Sequence, residues 1–227
     1  MKIIEMNIWI LLFALLSIPG YAQSEKDTIN STIIIPLKTG KNPTIHLETV
    51  DIEPTNLFVQ SKPITKNAPH IQLALHITEN DTKHITYLWR KNDATDSPKT
   101  NYPKACSNYT FNLKINKEED KVALVIEKSA FEKAFFLDIN QTAVIGNLSI
   151  LFDQCIGEWT EDINGNQVAA FNTYSISLSE EKEQKTISFT SRKDPVKNEL
   201  SLTWKNYKIL VLEDSEKALQ LMVFQND

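Results

Sequence analysis

Apolar residues recur at every second position along most of the chain from Thr32 onward. Because successive side chains of a β-strand point to opposite faces, this alternation predicts half-buried strands. The segments between the runs are short and rich in turn-forming residues, which predicts hairpins. The clearest runs are Ile71, Leu73, Leu75 and Ile77, then Ile85, Tyr87 and Trp89, then Phe111, Leu113 and Ile115, then Val122, Leu124 and Ile126, and finally Leu219, Leu221 and Val223.

The pattern predicts an all-β fold, an antiparallel β-sandwich of the immunoglobulin-like or jelly-roll type. A sheet closed on itself is the alternative. Alternation stops between Lys91 and Lys104, a stretch with two prolines that is either a linker or a long loop. We therefore expect an N-terminal β region at 23–104, either a separate packed unit or part of one continuous sandwich, and a C-terminal sandwich domain at 105–227. No internal repeat of fixed period is visible in the sequence.

The N-terminus has the pattern of a secretory signal peptide at 1–22. Lys2 precedes an apolar run of eleven residues, Ile8 to Ile18, and the small residues before position 23 predict cleavage after Ala22. The run is shorter than the roughly 20 residues that cross a bilayer. Gln23 stands where the cysteine of a lipoprotein would be. We expect a secreted or periplasmic (extracytoplasmic) protein with no membrane insertion after cleavage.

The composition argues against several classes of function. The formal net charge is −5, and no cluster of lysine and arginine is available to neutralise the phosphates of a nucleic acid. The five glycines form no nucleotide-binding or nucleophile-elbow motif. We therefore predict no nucleic-acid partner, no cofactor and no catalytic residue.

The two cysteines, Cys106 and Cys155, both lie in the part that would be exported. An oxidising compartment allows such a pair to form a disulfide, and the spacing is not that of a redox motif. We expect a structural disulfide between them, with two buried free thiols as the alternative.

Three of the four histidines, His70, His76 and His84, lie within fifteen residues. His70 and His76 would be roughly 20 Å apart on one strand, too far to share a metal ion. A register that pairs residue 76 with residue 84 would place His76 and His84 opposite each other, which makes them weak candidate metal ligands. Two ligands are fewer than a zinc site needs, so no metal site is predicted.

The segment 158–166 is the densest cluster of polar residues in the chain. It departs from a calcium-binding EF-hand loop, because Gln167 and Thr173 stand where glycine and glutamate are required. A hairpin turn with positive φ at Asn164-Gly165 is favoured. The residues of this candidate ligand loop are Glu158, Trp159, Glu161, Asp162 and Asn164.

The tryptophans differ in their sequence context. Trp89 and Trp204 continue the inward phase of their strands and are predicted to be core residues. Trp159 lies outside any alternating run, and we expect it to fold back over the end of the sandwich. A ligand-binding role for Trp159 is the alternative.

These observations favour an exported, non-enzymatic β-sandwich protein, a binding or interaction module at the cell envelope or outside the cell. Its partner would be a protein or a polysaccharide. One alternative is a secreted hydrolase of polysaccharide or peptide, whose carboxylates would converge only in the folded chain. Another is a structural or assembly protein that pairs through an exposed strand edge, such as the hairpin from Tyr207 to Phe224.

The mature protein is predicted to begin at Gln23. The intact mass of the protein recovered from its source cell should correspond to residues 23–227. A mass that includes the first 22 residues would contradict the signal-peptide hypothesis.

Overall fold

The structure is a computed structural model that describes residues 32–48, 50–60, 71–90, 103–116, 121–190 and 200–226. Every regular element within these ranges is a β-strand, and all strand pairs but one are antiparallel. The predicted all-β fold is therefore confirmed. The signal peptide expected at 1–22 lies outside the described residues.

The strands fall into two sets of eight, called here the first half and the second half. The first half contains β1 (Ile33–Pro36), β2 (Ile45–Leu47), β3 (Val50–Val59), β4 (Ile71–Glu79), β5 (Thr82–Arg90), β6 (Lys104–Cys106), β7 (Tyr109–Asn116) and β8 (Lys121–Lys128). The second half contains β9 (Phe135–Asp138), β10 (Thr142–Ile145), β11 (Leu148–Glu161), β12 (Gln167–Glu180), β13 (Glu183–Thr190), β14 (Leu200–Trp204), β15 (Tyr207–Asp214) and β16 (Ala218–Gln225).

Both halves have the same strand order. In the first half, β2-β3-β4-β5 form a four-stranded sheet, and β1-β8-β7-β6 form one side of an eight-stranded sheet. In the second half, β10-β11-β12-β13 form another four-stranded sheet, and β9-β16-β15-β14 complete the eight-stranded one. Each half is thus a meander whose last strand returns beside its first. The structure contains a repeat of topology that the sequence does not reveal.

One pair of corresponding turns in the two halves has the same left-handed conformation at its first residue. The turn before Tyr109 begins at Ser107, and the turn before Tyr207 begins at Lys205, so the two turns are 98 positions apart. Ser107 and Lys205 both have positive φ, 55° and 51°. Tyr109 and Tyr207 are both almost completely buried. The halves therefore reuse one local structure with largely different residues.

Each half buries an apolar core between its four-stranded sheet and its part of the eight-stranded sheet. Ala105 of β6 packs in the core of the second half, and Cys106, the next residue, packs in the core of the first half. Because neighbouring residues of a strand point to opposite faces, the two cores lie on opposite faces of the eight-stranded sheet. Each four-stranded sheet consequently covers only one half of one face.

The halves are joined where β6 runs parallel to β9. Lys104 is paired with Phe136, whose N–H donates a hydrogen bond of 2.8 Å to the carbonyl of Pro103. β6 also pairs with β7, so it belongs to the first half. The strand sets therefore separate between β8 and β9, and the stretch 91–104 that the sequence suggested as a boundary leads into β6 within the first half.

The last hairpin is interior to the eight-stranded sheet, so the expected exposed edge at Tyr207 to Phe224 is wrong. β15 pairs with β14 and β16, and β16 pairs with β15 and β9. The outer strands of this sheet are β1 and β14. In β1, Pro36 pairs with Ala123 of β8, and its counterpart in β9, Phe136, pairs with Gln220 of β16. Because the N–H of Leu37 donates to Val122 in β8, the nitrogen of Pro36 faces the open edge and offers no hydrogen there.

The two cysteines are free thiols, so the expected disulfide between Cys106 and Cys155 is wrong. The Cys106 thiol points into the first core and lies 3.1 Å from Gln141 Oε1. Cys155 lies on β11 and packs against the second core. Since the eight-stranded sheet separates the two cores, the two sulfur atoms cannot reach each other without a rearrangement of the sheet.

The thiols should differ in their reactivity. Cys106 is buried, and burial raises the pKa of its thiol to about 12, so little reactive thiolate forms there. Cys155 is only half-buried and is easier for a reagent to reach. We expect two alkylated cysteines per chain after denaturation without reductant, and modification of Cys155 before Cys106 in the native protein. A native chain two hydrogens lighter than its reduced form would contradict the arrangement.

Candidate functional site

A two-residue turn, Asn80 and Asp81, joins β4 to β5. Its φ angles are 46° and 63°, the left-handed values of a type I′ turn. The turn pairs Glu79 with Thr82, and the ladder continues without irregularity along both strands. Because side chains alternate with a period of two, this register decides which face of the sheet each residue of β5 occupies.

The register separates the two candidate metal ligands. His76 lies opposite Ile85, and His84 lies opposite Ile77, one position away from the expected pairing of 76 with 84. By strand alternation the two residues therefore belong to opposite faces of the sheet, and the paired arrangement expected for them is wrong. Both still contribute atoms to one small pocket of about 240 Å³ at this end of the sheet. His70 lies outside the described residues. Among the residues that the structure describes, no group of three potential metal ligands occurs.

The same register turns Tyr87 and Trp89 outward. They are 62% and 47% exposed, so the predicted core position of Trp89 is wrong. The inward positions of β5 are occupied by Thr86 and Leu88, which are 1% and 4% exposed. Trp204 is buried in the second core, as predicted.

Phe58 extends this exposed aromatic surface across the sheet. It lies on β3 opposite Gln72, which in turn lies opposite Trp89, and it is 52% exposed. Phe58, Tyr87 and Trp89 are called here the aromatic face. Clustered apolar side chains on the surface of a soluble protein commonly mark a contact site.

A groove of about 610 Å³ lies beside the aromatic face. Tyr87 and Trp89 line it on the side of β5, and Phe136 and Lys217 line it on the side of β9 and the β15–β16 turn. The groove exists because the first four-stranded sheet ends at β5 while the eight-stranded sheet continues into the second half. The four-stranded sheet of the second half lies on the other face and does not fill this space. The volume of the groove is in the range of small-molecule sites, about 300–1,000 Å³.

An ion pair lies in the wall of the groove. Lys104 Nζ is 2.8 Å and 2.7 Å from the two carboxylate oxygens of Asp138. The parallel pairing of Lys104 with Phe136 places Asp138, two residues further on, on the same face as the lysine. The side chains are only 17% and 22% exposed, so solvent screens the pair less than it screens a surface pair. The pair supplies donors and acceptors to a mostly apolar groove.

The candidate ligand loop forms the end of the long β11–β12 hairpin. The Asp162 carboxylate accepts hydrogen bonds from the N–H groups of Asn166 (2.9 Å) and Asn164 (2.8 Å). The hydrogen bonds from Asn166 are the main reason why the pKa of Asp162 is lowered. Gly165 has φ 77°, so the predicted positive φ is confirmed for the glycine, whereas Asn164 does not adopt it. Asp162 therefore holds the turn together.

Trp159 is 64% exposed on this hairpin, so the expectation that it covers the end of the sandwich is wrong. Its indole lies over Gly157, two residues earlier on the same face, which has no side chain to displace the ring. Glu158, the neighbour of Trp159, points to the opposite face. The exposed Glu161 lies on the Trp159 face. The residues predicted as a ligand loop thus do not converge on one site.

No protein-family model matches the chain, and no curated protein matches it in sequence. No helix within the described ranges is both long enough and apolar enough to cross a membrane.

The phase of β5 can be tested with two neighbouring substitutions. Leu88→Ala should lower the free energy of unfolding by about 2–5 kcal/mol, because it leaves a cavity in the first core. Tyr87→Ala should change it by less than about 1 kcal/mol, because the ring is largely in solvent. Denaturant titration of both variants measures the difference, and equal losses would contradict the register.

Proposed function

We propose that the chain is an exported, non-enzymatic binding protein that acts at the cell envelope or outside the cell. It binds its partner, a protein or a polysaccharide, on the aromatic face and in the adjoining groove. The observation that carries this proposal is the exposure of Tyr87 and Trp89, 62% and 47%, at the rim of a groove of about 610 Å³.

Exposed aromatic rings favour binding because a partner that covers them removes apolar surface from water. This burial contributes roughly 25 cal/mol per Å². Tryptophan and tyrosine are also the residues on which the affinity of protein interfaces most often depends. The groove beside the rings gives a partner a concave surface in which polar groups can be oriented.

The chemistry of the groove supports binding in preference to hydrolysis. A glycosidase needs two carboxyl groups roughly 5–9.5 Å apart on either side of the scissile bond. Among the described lining residues Asp138 is the single carboxylate, and Lys104 holds both of its oxygens. An ion-paired carboxylate without a second acid is suited to orienting a ligand.

The scaffold that we propose is an antiparallel β-sandwich in each half. Support comes from the two cores, each of which draws residues from both of its sheets. The meander order favours a sandwich without the Greek-key connections of immunoglobulin-like and jelly-roll folds. Export is proposed from the signal-peptide pattern of residues 1–22.

The proposal can be tested by sedimentation of purified residues 23–227 with envelope fragments of the source cell. The wild-type protein should pellet with the fragments. The double variant Tyr87→Ala/Trp89→Ala should remain in solution, because it removes both rings from the rim without touching either core.

Trp159→Ala is the matched control, since it removes a ring that is at least as exposed from the β11–β12 hairpin. It should pellet like the wild-type protein. Loss of binding in Trp159→Ala with retention in the double variant would move the binding surface to the hairpin and contradict the proposal. Failure of the wild-type protein to pellet would contradict envelope binding.

A further inference from the structure

We infer that the ligand of the groove is a saccharide, with its rings stacked on the aromatic face and its hydroxyl groups bound by the Lys104–Asp138 pair. This inference rests on the proposed function and names the ligand class of the same surface.

The spacing of the aromatic rings suits a chain of sugars. Tyr87 and Trp89 are two residues apart on one face of β5, so their Cβ atoms are separated by about 7 Å. Phe58 lies two strands away from Trp89, at about 10 Å. A pyranose ring presents C–H groups on its faces, and these pack against the faces of aromatic rings. Neighbouring rings on one face of the sheet can therefore each support a different sugar of the same chain.

The ion pair suits hydroxyl groups. The ammonium group of Lys104 has three hydrogens, and the carboxylate of Asp138 has lone pairs beyond those that face the lysine. Two adjacent hydroxyls of a sugar can accept from the ammonium and donate to the carboxylate without separating the two charges. Hydrogen bonds to charged groups are stronger than those between neutral groups, which gives the contact directional selectivity.

Other ligand classes use this arrangement less well. An acyl chain would cover the ion pair without replacing the hydrogen bonds that water makes to it, which carries a desolvation penalty. A strongly anionic ligand would compete with Asp138 for Lys104, and Lys217 is the one other cation among the described lining residues. A neutral polyol with apolar ring faces matches both the rings and the pair.

The test uses two treatments of the envelope fragments and a set of soluble neutral polysaccharides: a β-glucan, a xylan, a mannan and a dextran. Periodate, which cleaves vicinal diols, should abolish sedimentation of the protein with the fragments, whereas protease digestion should leave it intact. At least one of the neutral polysaccharides should retard the protein in a native gel.

Variants of the site give the second readout. Trp89→Ala should lower the affinity for that polysaccharide by about tenfold or more, and Trp89→Phe, which keeps a flat ring, should retain most of the affinity. Asp138→Asn should weaken binding while its thermal unfolding midpoint shows that the fold is kept. Trp159→Ala should bind like the wild-type protein.

Two results separate failure of this inference from failure of the proposed function. If protease abolishes binding to the fragments and periodate does not, while Tyr87→Ala/Trp89→Ala still fails to bind, the partner is a protein and the saccharide inference is overturned alone. If the double variant binds like the wild-type protein, the aromatic face is not the binding surface, and both the proposed function and the saccharide inference are overturned.

Discussion

The two-residue turn at Asn80 and Asp81 is the constraint on which the candidate site depends. Its two left-handed residues fix β5 against β4 in one register, and a shift of one position would exchange the two faces of β5. In the observed register Thr86 and Leu88 fill the first core, and Tyr87 and Trp89 lie in solvent. The burial of Leu88 therefore stabilises the same arrangement that exposes the aromatic rings.

The groove depends on a second constraint, the joint between the halves. Because β6 and β9 pair in parallel, the second half is turned over relative to the first, and the two covering sheets lie on opposite faces. The uncovered part of the eight-stranded sheet then meets the end of the first covering sheet at β5. Phe136 donates a hydrogen bond at this joint, and its counterpart Pro36 in β1 has no hydrogen to donate, so the same contact is not repeated at that outer edge.

The buried face of a strand could be predicted from the sequence wherever one face is clearly more apolar than the other. β4, β8 and β16 bury the residues that alternation indicated, and β7 buries Phe111 and Leu113 while Ile115 is partly buried. β5 is different, because Ile85, Tyr87 and Trp89 outweigh Thr86 and Leu88 in apolar character although they face solvent. The type I′ turn at Asn80-Asp81 was the signal that would have corrected the phase. The separation of the two cysteines and the repeat of the strand order could not be predicted, because both follow from pairing between distant strands.

The most direct test of this account is the register of β5 against β4, read from nuclear Overhauser contacts of the Thr86 methyl group in isotope-labelled protein. The account predicts contacts with the side chain of Leu75, which lies opposite Thr86 on the inner face. Contacts with the methyl group of Ala74 in their place would mean a shift of one residue. That result would put Tyr87 and Trp89 inside the first half and remove the candidate binding surface.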